Sequence, residues 1–312
     1  MEMGLSCREA FCNELTEIGR GNPDIIALTS DAKGSTALGV FADALPAQFL
    51  DVGIAEQNEI GIAAGLAAVG KRPYVCAPAS FMSARSFEQI KVDVAYSRMN
   101  VKILAVSGGI SYGALGTSHH STHDIAAFRA IPGIQVILPC DELQTKTLLH
   151  ELEKSNKPAY IRVGKASMPR LYAPGTHFEI GKAVQIRKGD DLTVIACGEM
   201  VAPAVMAAEE LADEGIAAQV LDMHTLSPLD HDAILAAARI GPIITIEEHN
   251  VNGGLGAAVA QITATNMPVS MRTLALPGDE NVIAGPSADV FNHYGLNSAG
   301  ISAAARELMK AK

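Results

Sequence analysis

The chain has 312 residues, enough for two domains of ordinary size, and 48% of them are hydrophobic, enough for substantial cores. A net charge of −10 at pH 7, spread along the chain, disfavours nucleic acid and anionic membranes as partners. Aromatic residues are only 4% and Trp is absent, which argues against a stacking surface for carbohydrate or bases. The five cysteines are odd in number and scattered. No His or Cys cluster beside Cys7 and Cys12 completes a zinc pattern, so all are expected as reduced thiols of a cytoplasmic protein. The opening Met-Glu-Met-Gly-Leu-Ser lacks a basic region followed by an apolar one, so no signal peptide is expected. No apolar run approaches bilayer-spanning length.

In chain order, residues 5–20 read as a helix, with Ser6 and Glu9 forming a capping box. Ile25 to Thr29 reads as a short strand ending in the polar loop Ser30-Asp-Ala-Lys-Gly-Ser-Thr. An apolar run from Phe49 to Ile54 then changes to helical spacing, with Ile60, Ala63, Ala64 and Ala67 on one face. Arg72 to Pro78 is a strand, and Ser80 to Ala95 an amphipathic helix. Val101 to Val106 is a strand that runs into a glycine-rich loop at 107–123. A helix from Asp124, a strand over Ile134–Leu138, a helix over Asp141–Glu153 and a strand from Pro158 complete the first half. The irregular stretch 164–185, with Pro169, Pro174 and Gly175, marks a linker. A second alternating unit follows: strands from Leu192, Ala217 and Pro242, and helices from Ala202, His231 and Ala257. The expected fold class is α/β, two three-layer α/β/α domains with mostly parallel sheets, over 1–170 and 186–312 with a linker at 171–185.

Glu56 stands where strand gives way to helix, the edge at which parallel α/β sheets bind ligands. Such an acid is either a helix-start charge or a working carboxylate. The loop 107–123 carries His119, His120 and His123. Adjacent histidines do not easily face one metal ion, and only Asp124 is near to complete a set. Proton transfer or hydrogen bonding to substrate hydroxyls therefore suits the loop better than a metal. Gly253-Gly-Leu-Gly before a helix reads as a structural turn in preference to a phosphate cradle, since it lacks the P-loop Lys and the dinucleotide spacing. Glu247, Glu248 and His249 end a strand just before it, as either a ligand-facing edge or a solvated turn. Arg8, Ser35 and Arg162 lie in separate segments and would suit a sugar phosphate if they converge. Phe81 and Phe87 read first as core.

The wording Asp51-Val-Gly-Ile-Ala-Glu-Gln-Asn, the Phe81 to Gln89 segment, Gly116-Thr-Ser-His-His and Ile137-Leu-Pro-Cys-Asp resembles the C-terminal half of the transketolase family, over essentially the whole chain. The resemblance implies a pyrimidine-binding domain and a C-terminal domain using thiamine diphosphate. Glu56 then looks like the acid that hydrogen-bonds the cofactor's aminopyrimidine and drives its tautomer shift. Phe81 and Phe87 resemble the aromatic walls of that ring, Asp31 a cofactor-proximal acid, and His119 a histidine on the transferred fragment's hydroxyl. Arg8, Ser35 and Arg162 match substrate phosphate positions. Ser107 and Leu115 depart from the family's substrate-contacting histidine and acid, which opens the choice of sugar. The family's Gly-Asp-Gly diphosphate motif is absent from all 312 residues. The resemblance therefore implies one subunit of a split transketolase. It would need an N-terminal, diphosphate-binding partner that holds most of the Mg²⁺ shell, in an α2β2 heterotetramer acting on sugar phosphates. Alternatives are a beta subunit of a 2-oxo-acid dehydrogenase, a deoxyxylulose phosphate synthase-like chain, and a non-catalytic homologue.

Overall fold

The computed structural model describes residues 2–310. Strand β1 (Met3–Ser6) leads into α1 (Cys7–Gly21) through the expected capping box, in which the Ser6 hydroxyl and the Glu9 carboxylate each accept from the other's backbone N–H. Then come β2 (Ile25–Thr29), α2 (Gly39–Ala44), β3 (Phe49–Asp51), α3 (Glu56–Ala68) and β4 (Arg72–Pro78). Two short helices, α4 (Ala79–Ala84) and α5 (Phe87–Gln89), continue as a π-helical segment, Ile90–Tyr96. Next are β5 (Lys102–Val106), α6 (Asp124–Arg129), β6 (Gln135–Ile137), α7 (Glu142–Glu153), β7 (Ala159–Val163) and β8 (Ser167–Pro169). The second half comprises β9 (Val184–Arg187), β10 (Leu192–Ala196), α8 (Val201–Asp213), β11 (Ala218–Asp222), β12 (Thr225–Ser227), α9 (His231–Ile240), β13 (Ile243–Asn250), α10 (Leu255–Asn266), β14 (Met271–Leu276), α11 (Ser287–His293) and α12 (Ser298–Lys310).

The larger sheet has seven strands in the order β12-β6-β7-β5-β4-β2-β3, all parallel except the edge strand β12. The smaller has five in the order β14-β13-β10-β11-β9, parallel except for β9. Both middles are apolar throughout, as sheets covered on both faces require: every residue of β5, β7, β10 and β11 is buried.

Several details depart from the expectations. The run Phe49–Ile54 is strand only to Asp51, because the Asp51 carboxylate turns inward to accept from Gly53 N (3.0 Å) and Asp31 N (2.9 Å). The Ser80–Ala95 helix is interrupted at Arg85–Ser86. There the Ser83 and Ser86 hydroxyls bond the carbonyls four residues back (2.8 and 3.1 Å), which competes with the helical ladder. The linker is partly ordered, since β8 pairs antiparallel with β1. The short edge strands β9 and β12 carry no periodic signal. The stripe of Ile301, Ala304, Ala305 and Leu308 along α12 does, although that helix is not among the expected elements.

The two halves are not independent bodies. Strand β12 lies in the second half of the chain yet extends the first sheet, and one apolar cluster runs from Leu28 and Val75 through to Ile195, Leu221 and Leu255. Asp222 at the end of β11 is fully buried and accepts from Gln144 Nε2 on α7 (2.6 Å) and Tyr172 Oη in the linker (2.7 Å). We predict that Asp222→Ala leaves the buried Gln144 amide and the half-buried Tyr172 hydroxyl without this acceptor and lowers stability by about 2 to 3 kcal/mol. Urea unfolding of the purified chain measures this, with an unchanged m-value expected.

Candidate functional site

A cavity of about 390 Å³ opens beyond the carboxyl ends of β2, β3 and β4. Glu56 is the first residue of α3, and its cap position, Ala55, offers no side-chain acceptor. The free N–H groups of that helix start therefore favour a carboxylate from the helix itself. Glu56 is only 5% exposed. Its Oε1 accepts from Arg85 Nη1 at 2.7 Å, and the Arg85 guanidinium lies over the Phe81 ring, 4.1 Å from its centroid. His119 meets Phe81 edge-on at 5.4 Å and Tyr112 at 5.7 Å, and its Nδ1 is 3.0 Å from Ser118 Oγ. The wall from the β2 loop contributes Ser30, Asp31 and Ser35. Asp31 takes a positive φ of 54°, which the Asp51 carboxylate stabilises through its N–H.

Five of the eight expected site residues thus face one cavity: Asp31, Ser35, Glu56, Phe81 and His119. Arg8 is adjacent, since its Nη1 donates to the Ser35 carbonyl, and its Nε has no partner. Two residues are placed elsewhere. Phe87 packs into the core against the Phe128 ring at 5.8 Å, because the break after α4 rotates it away from the face that carries Phe81. Arg162 is buried at the seam between the two halves. Its Nε donates to Asp124 Oδ2 (3.0 Å) and its Nη2 to the Glu248 carbonyl (2.7 Å). The Glu248 carboxylate stands at 3.5 Å. With Nε and Nη2 taken by these acceptors, Arg162 is not among the residues that line the cavity with Ser35.

The histidines of the 107–123 loop diverge. His120 is buried and bonds the Gly113 carbonyl at 3.0 Å, while His123 Nε2 lies 3.3 Å from Ser83 Oγ. Only His119 faces the cavity, and among the described residues no group of His, Cys, Asp and Glu is arranged to hold a metal. Ser107 is fully buried with φ 58°, whereas Leu115 is 55% exposed and lines the cavity.

The second half of the chain holds this loop. Glu248 Oε1 accepts from Ile110 N (2.7 Å), Gly285 N donates to Gly113 O (3.1 Å), and Ser287 Oγ donates to Ile110 O (2.9 Å). Glu247 instead accepts from Leu255 N and Gly256 N (2.7 and 2.8 Å), so the helix start after Gly253-Gly-Leu-Gly is already filled by a carboxylate. The phosphate-cradle reading is thereby closed. Around Arg162, burial and the neighbouring Glu199 charge push the Glu248 carboxyl up, and burial pushes Glu199 up as well. The Arg162 guanidinium opposes both shifts.

Sequence reasoning missed Arg85, Tyr112, Ser30 and Glu59. Arg85 lay inside a segment read for its aromatics. Glu59, three residues after Glu56 in a small-residue helix, was an unusual charge and a usable signal. It is fully buried, and neither carboxyl oxygen has a hydrogen-bond partner.

The residues present fit one end of a thiamine-type cofactor and not the other. A buried carboxyl beside an aromatic face matches a flat, hydrogen-bonding aminopyrimidine. A diphosphate and its divalent cation find no matching set, since the wall carries Arg85 but also Asp31 and Glu56.

Comparison with known proteins accords with this geometry. Residues 3–170 match the family model of the transketolase pyrimidine binding domain, and residues 181–301 that of the transketolase C-terminal domain. The chain is 50% identical over 308 residues to an apulose-4-phosphate transketolase subunit of Phocaeicola vulgatus, covering 98% of each. It is 37% identical over 270 residues to a 6-deoxy-6-sulfo-D-fructose transketolase subunit of Clostridium sp., covering 86% of this chain and 84% of that one. Among solved structures, a split gene transketolase described as an inactive beta4 tetramer superposes with a TM-score of 0.89 at 38% identity, covering 98% of this chain and 99% of that one. The chain belongs to the transketolase family, and the part it supplies is the pyrimidine-binding domain followed by the C-terminal domain.

Proposed function

We propose that this chain is the C-terminal subunit of a thiamine diphosphate-dependent split transketolase, moving a two-carbon ketol unit from a ketose phosphate to an aldose phosphate. The observation that carries the reading is the pairing of Glu56, buried at a helix start, with the Phe81 ring in a cavity that has no set for a diphosphate. The relatives of matching length named as transketolase subunits support it. Bound thiamine diphosphate supplies a carbon nucleophile that takes up and returns the two-carbon unit.

The chain's own residues do the rest. Glu56 holds a proton at the aminopyrimidine, and Phe81 provides the ring's wall. Arg85 now occupies Glu56 Oε1 from a half-exposed position, so it can yield that oxygen without unburying a charge. His119 faces the same space beside Phe81, whose ring it meets edge-on, and is placed to hydrogen-bond a hydroxyl of the transferred fragment. In the reaction the C2–C3 bond of the ketose breaks and a new C–C bond forms at the aldehyde carbon of the acceptor. Leu115 offers that fragment no hydrogen bond, which favours donors whose hydroxyl pattern differs from that of common ketoses. Arg8 and Ser35 are the remaining candidates for a substrate phosphate.

The other half of the site is proposed to come from a diphosphate-binding partner carrying the Mg²⁺, in an α2β2 complex. The outer face of α3 supports association with a second chain. Gly61 and Gly65 are both exposed, and a Cβ added at either meets nothing within 4 Å. Nothing inside the chain requires glycine there, whereas a closely packed second helix does.

We expect the purified chain to show no ketol transfer until the partner is added. Glu56→Gln should lower turnover of the complex by about a hundredfold or more without changing its assembly. Full activity of the single chain, or an active Glu56→Gln complex, would overturn the reading. Gly113→Ala places a Cβ 2.3 Å from the Gly285 carbonyl and should displace the His119 loop. We expect kcat/KM to fall by about tenfold or more in steady-state assays while far-UV circular dichroism is unchanged. Gly65→Leu should shift the chain to monomer in sedimentation velocity and leave its melting temperature near the parent value.

A further inference from the structure

A second and larger cavity, of about 820 Å³, lies at the opposite edge of the seven-stranded sheet, at the amino ends of β6 and β7. Four stretches of chain enclose it: Lys91 to Arg98, the approach to β6, the approach to β7, and the end of β12. It shares no lining residue with the cavity that holds Glu56. Parallel sheets bind their substrates at the carboxyl ends of the strands, so ketol transfer gives this cavity no task.

Its charge is one-sided. Lys91, Arg98 and Lys157 line it, and no Asp or Glu does. Among the described residues, none of these three side chains is in an ion pair or a hydrogen bond. In a chain of net charge −10, three unpaired cations around one cavity make a local site for negative charge. Most of the remaining lining is apolar, including Ile131, Ile134 and three prolines. Tyr96 also lines the cavity and is 84% exposed. The walls are fixed from behind. The buried Lys102 ammonium donates to the carbonyls of Ser155 (3.1 Å) and Lys157 (2.6 Å), on either side of Asn156. Gln135 N donates to Pro158 O (3.0 Å), and Ser227 Oγ to Ile134 O (3.0 Å). A preformed cavity of this size, mostly apolar with a few charged groups, is the ordinary form of a small-molecule site.

We propose that this cavity binds a nucleoside di- or triphosphate. The three cations take the phosphates, and the Tyr96 ring and the apolar lining take the base. One exposed ring suffices for a single base, although the low aromatic content argues against an extended stacking surface. A sugar phosphate is a poorer match, because the neutral polar side chains in the lining other than Tyr96 are only Gln135, Asn156 and Ser227, few partners for a set of hydroxyls. Inorganic phosphate alone would leave most of the volume unfilled. Arg98 takes a positive φ of 54°, a conformation that glycine adopts without cost. An arginine at such a position is replaceable by glycine without loss of the fold, which makes it the most informative residue to change.

Isothermal titration of the isolated full chain with ATP, without divalent cation and at physiological ionic strength, should show one site per chain with a Kd of about 100 μM or tighter. Inorganic phosphate should bind about tenfold more weakly or worse. Arg98→Gly and Lys157→Ala should each weaken ATP about tenfold, and Tyr96→Ala about fivefold or more. Arg98→Gly should melt at or above the parent temperature, which separates lost binding from lost folding. Arg8→Ala, at the candidate phosphate position of the other cavity, should leave the ATP affinity unchanged. Absence of ATP binding, or inorganic phosphate binding as tightly as ATP, would overturn the assignment. So would ATP binding that Arg8→Ala removes and Arg98→Gly keeps. If ATP does not bind but Arg98→Gly and Lys157→Ala block assembly with the partner subunit, the face is a dock for an acidic protein segment and the nucleotide assignment is wrong. None of these outcomes depends on ketol transfer.

Discussion

The pocket depends on one guanidinium taken out of water. Arg162 leaves the end of β7 and is surrounded by Asp124 from the first half of the chain and Glu248 from the second. A buried ion pair contributes little net stability, but removing one partner leaves an uncompensated charge and costs about 3 to 5 kcal/mol. The cluster therefore acts chiefly as a registration device. The backbone passes so close that a Cβ at Gly108 would sit 2.1 Å from the Arg162 Nε, and one at Gly109 would sit 2.3 Å from the Glu248 carboxyl carbon. The glycines opening the 107–123 loop are there for that close approach.

Chemistry follows from this registration. With Ile110 N bonded to Glu248 and Gly113 against Gly285, the loop has little freedom at its start. Tyr112, Leu115 and His119 are then presented to a cavity whose other wall is the β2 loop and the head of α3. Among the described residues, the C-terminal half contributes no lining residue to this cavity, yet it positions the loop that does. That division of labour explains why the two halves share an apolar cluster and an edge strand and do not meet only at a linker.

Much of the architecture was legible in the chain itself. The apolar runs of β2, β4, β5, β7 and β10 and the helical spacing of α3 and α8 are local signals, and the Ser6–Glu9 box marks where α1 begins. The short antiparallel strands β1, β8, β9 and β12 were not legible, since three or four residues at a sheet edge carry no period. At the site, Glu56 stood out because of its place between strand and helix. Arg162 was misplaced because an arginine at a strand end looks the same in sequence whether it faces solvent, a phosphate or two buried carboxylates. Phe87 was misplaced because six positions on an unbroken helix and six across a break point in different directions.

What the sequence determined alone was the α/β class, the position of the acid-bearing strand-to-helix turn, and the lack of a Gly-Asp-Gly diphosphate motif. Each depends only on residue type and near-neighbour spacing. What the tertiary structure decided was which charges are consumed internally and which are left for a ligand. Arg162, Glu247 and Glu248 are satisfied by partners about 40 to 140 positions away or by a helix start. Glu56 keeps one arginine at its mouth, and Glu59 keeps none. The physical reason is that the energy of a buried charge is set by what surrounds it in space, and in this chain those surroundings are assembled from both halves.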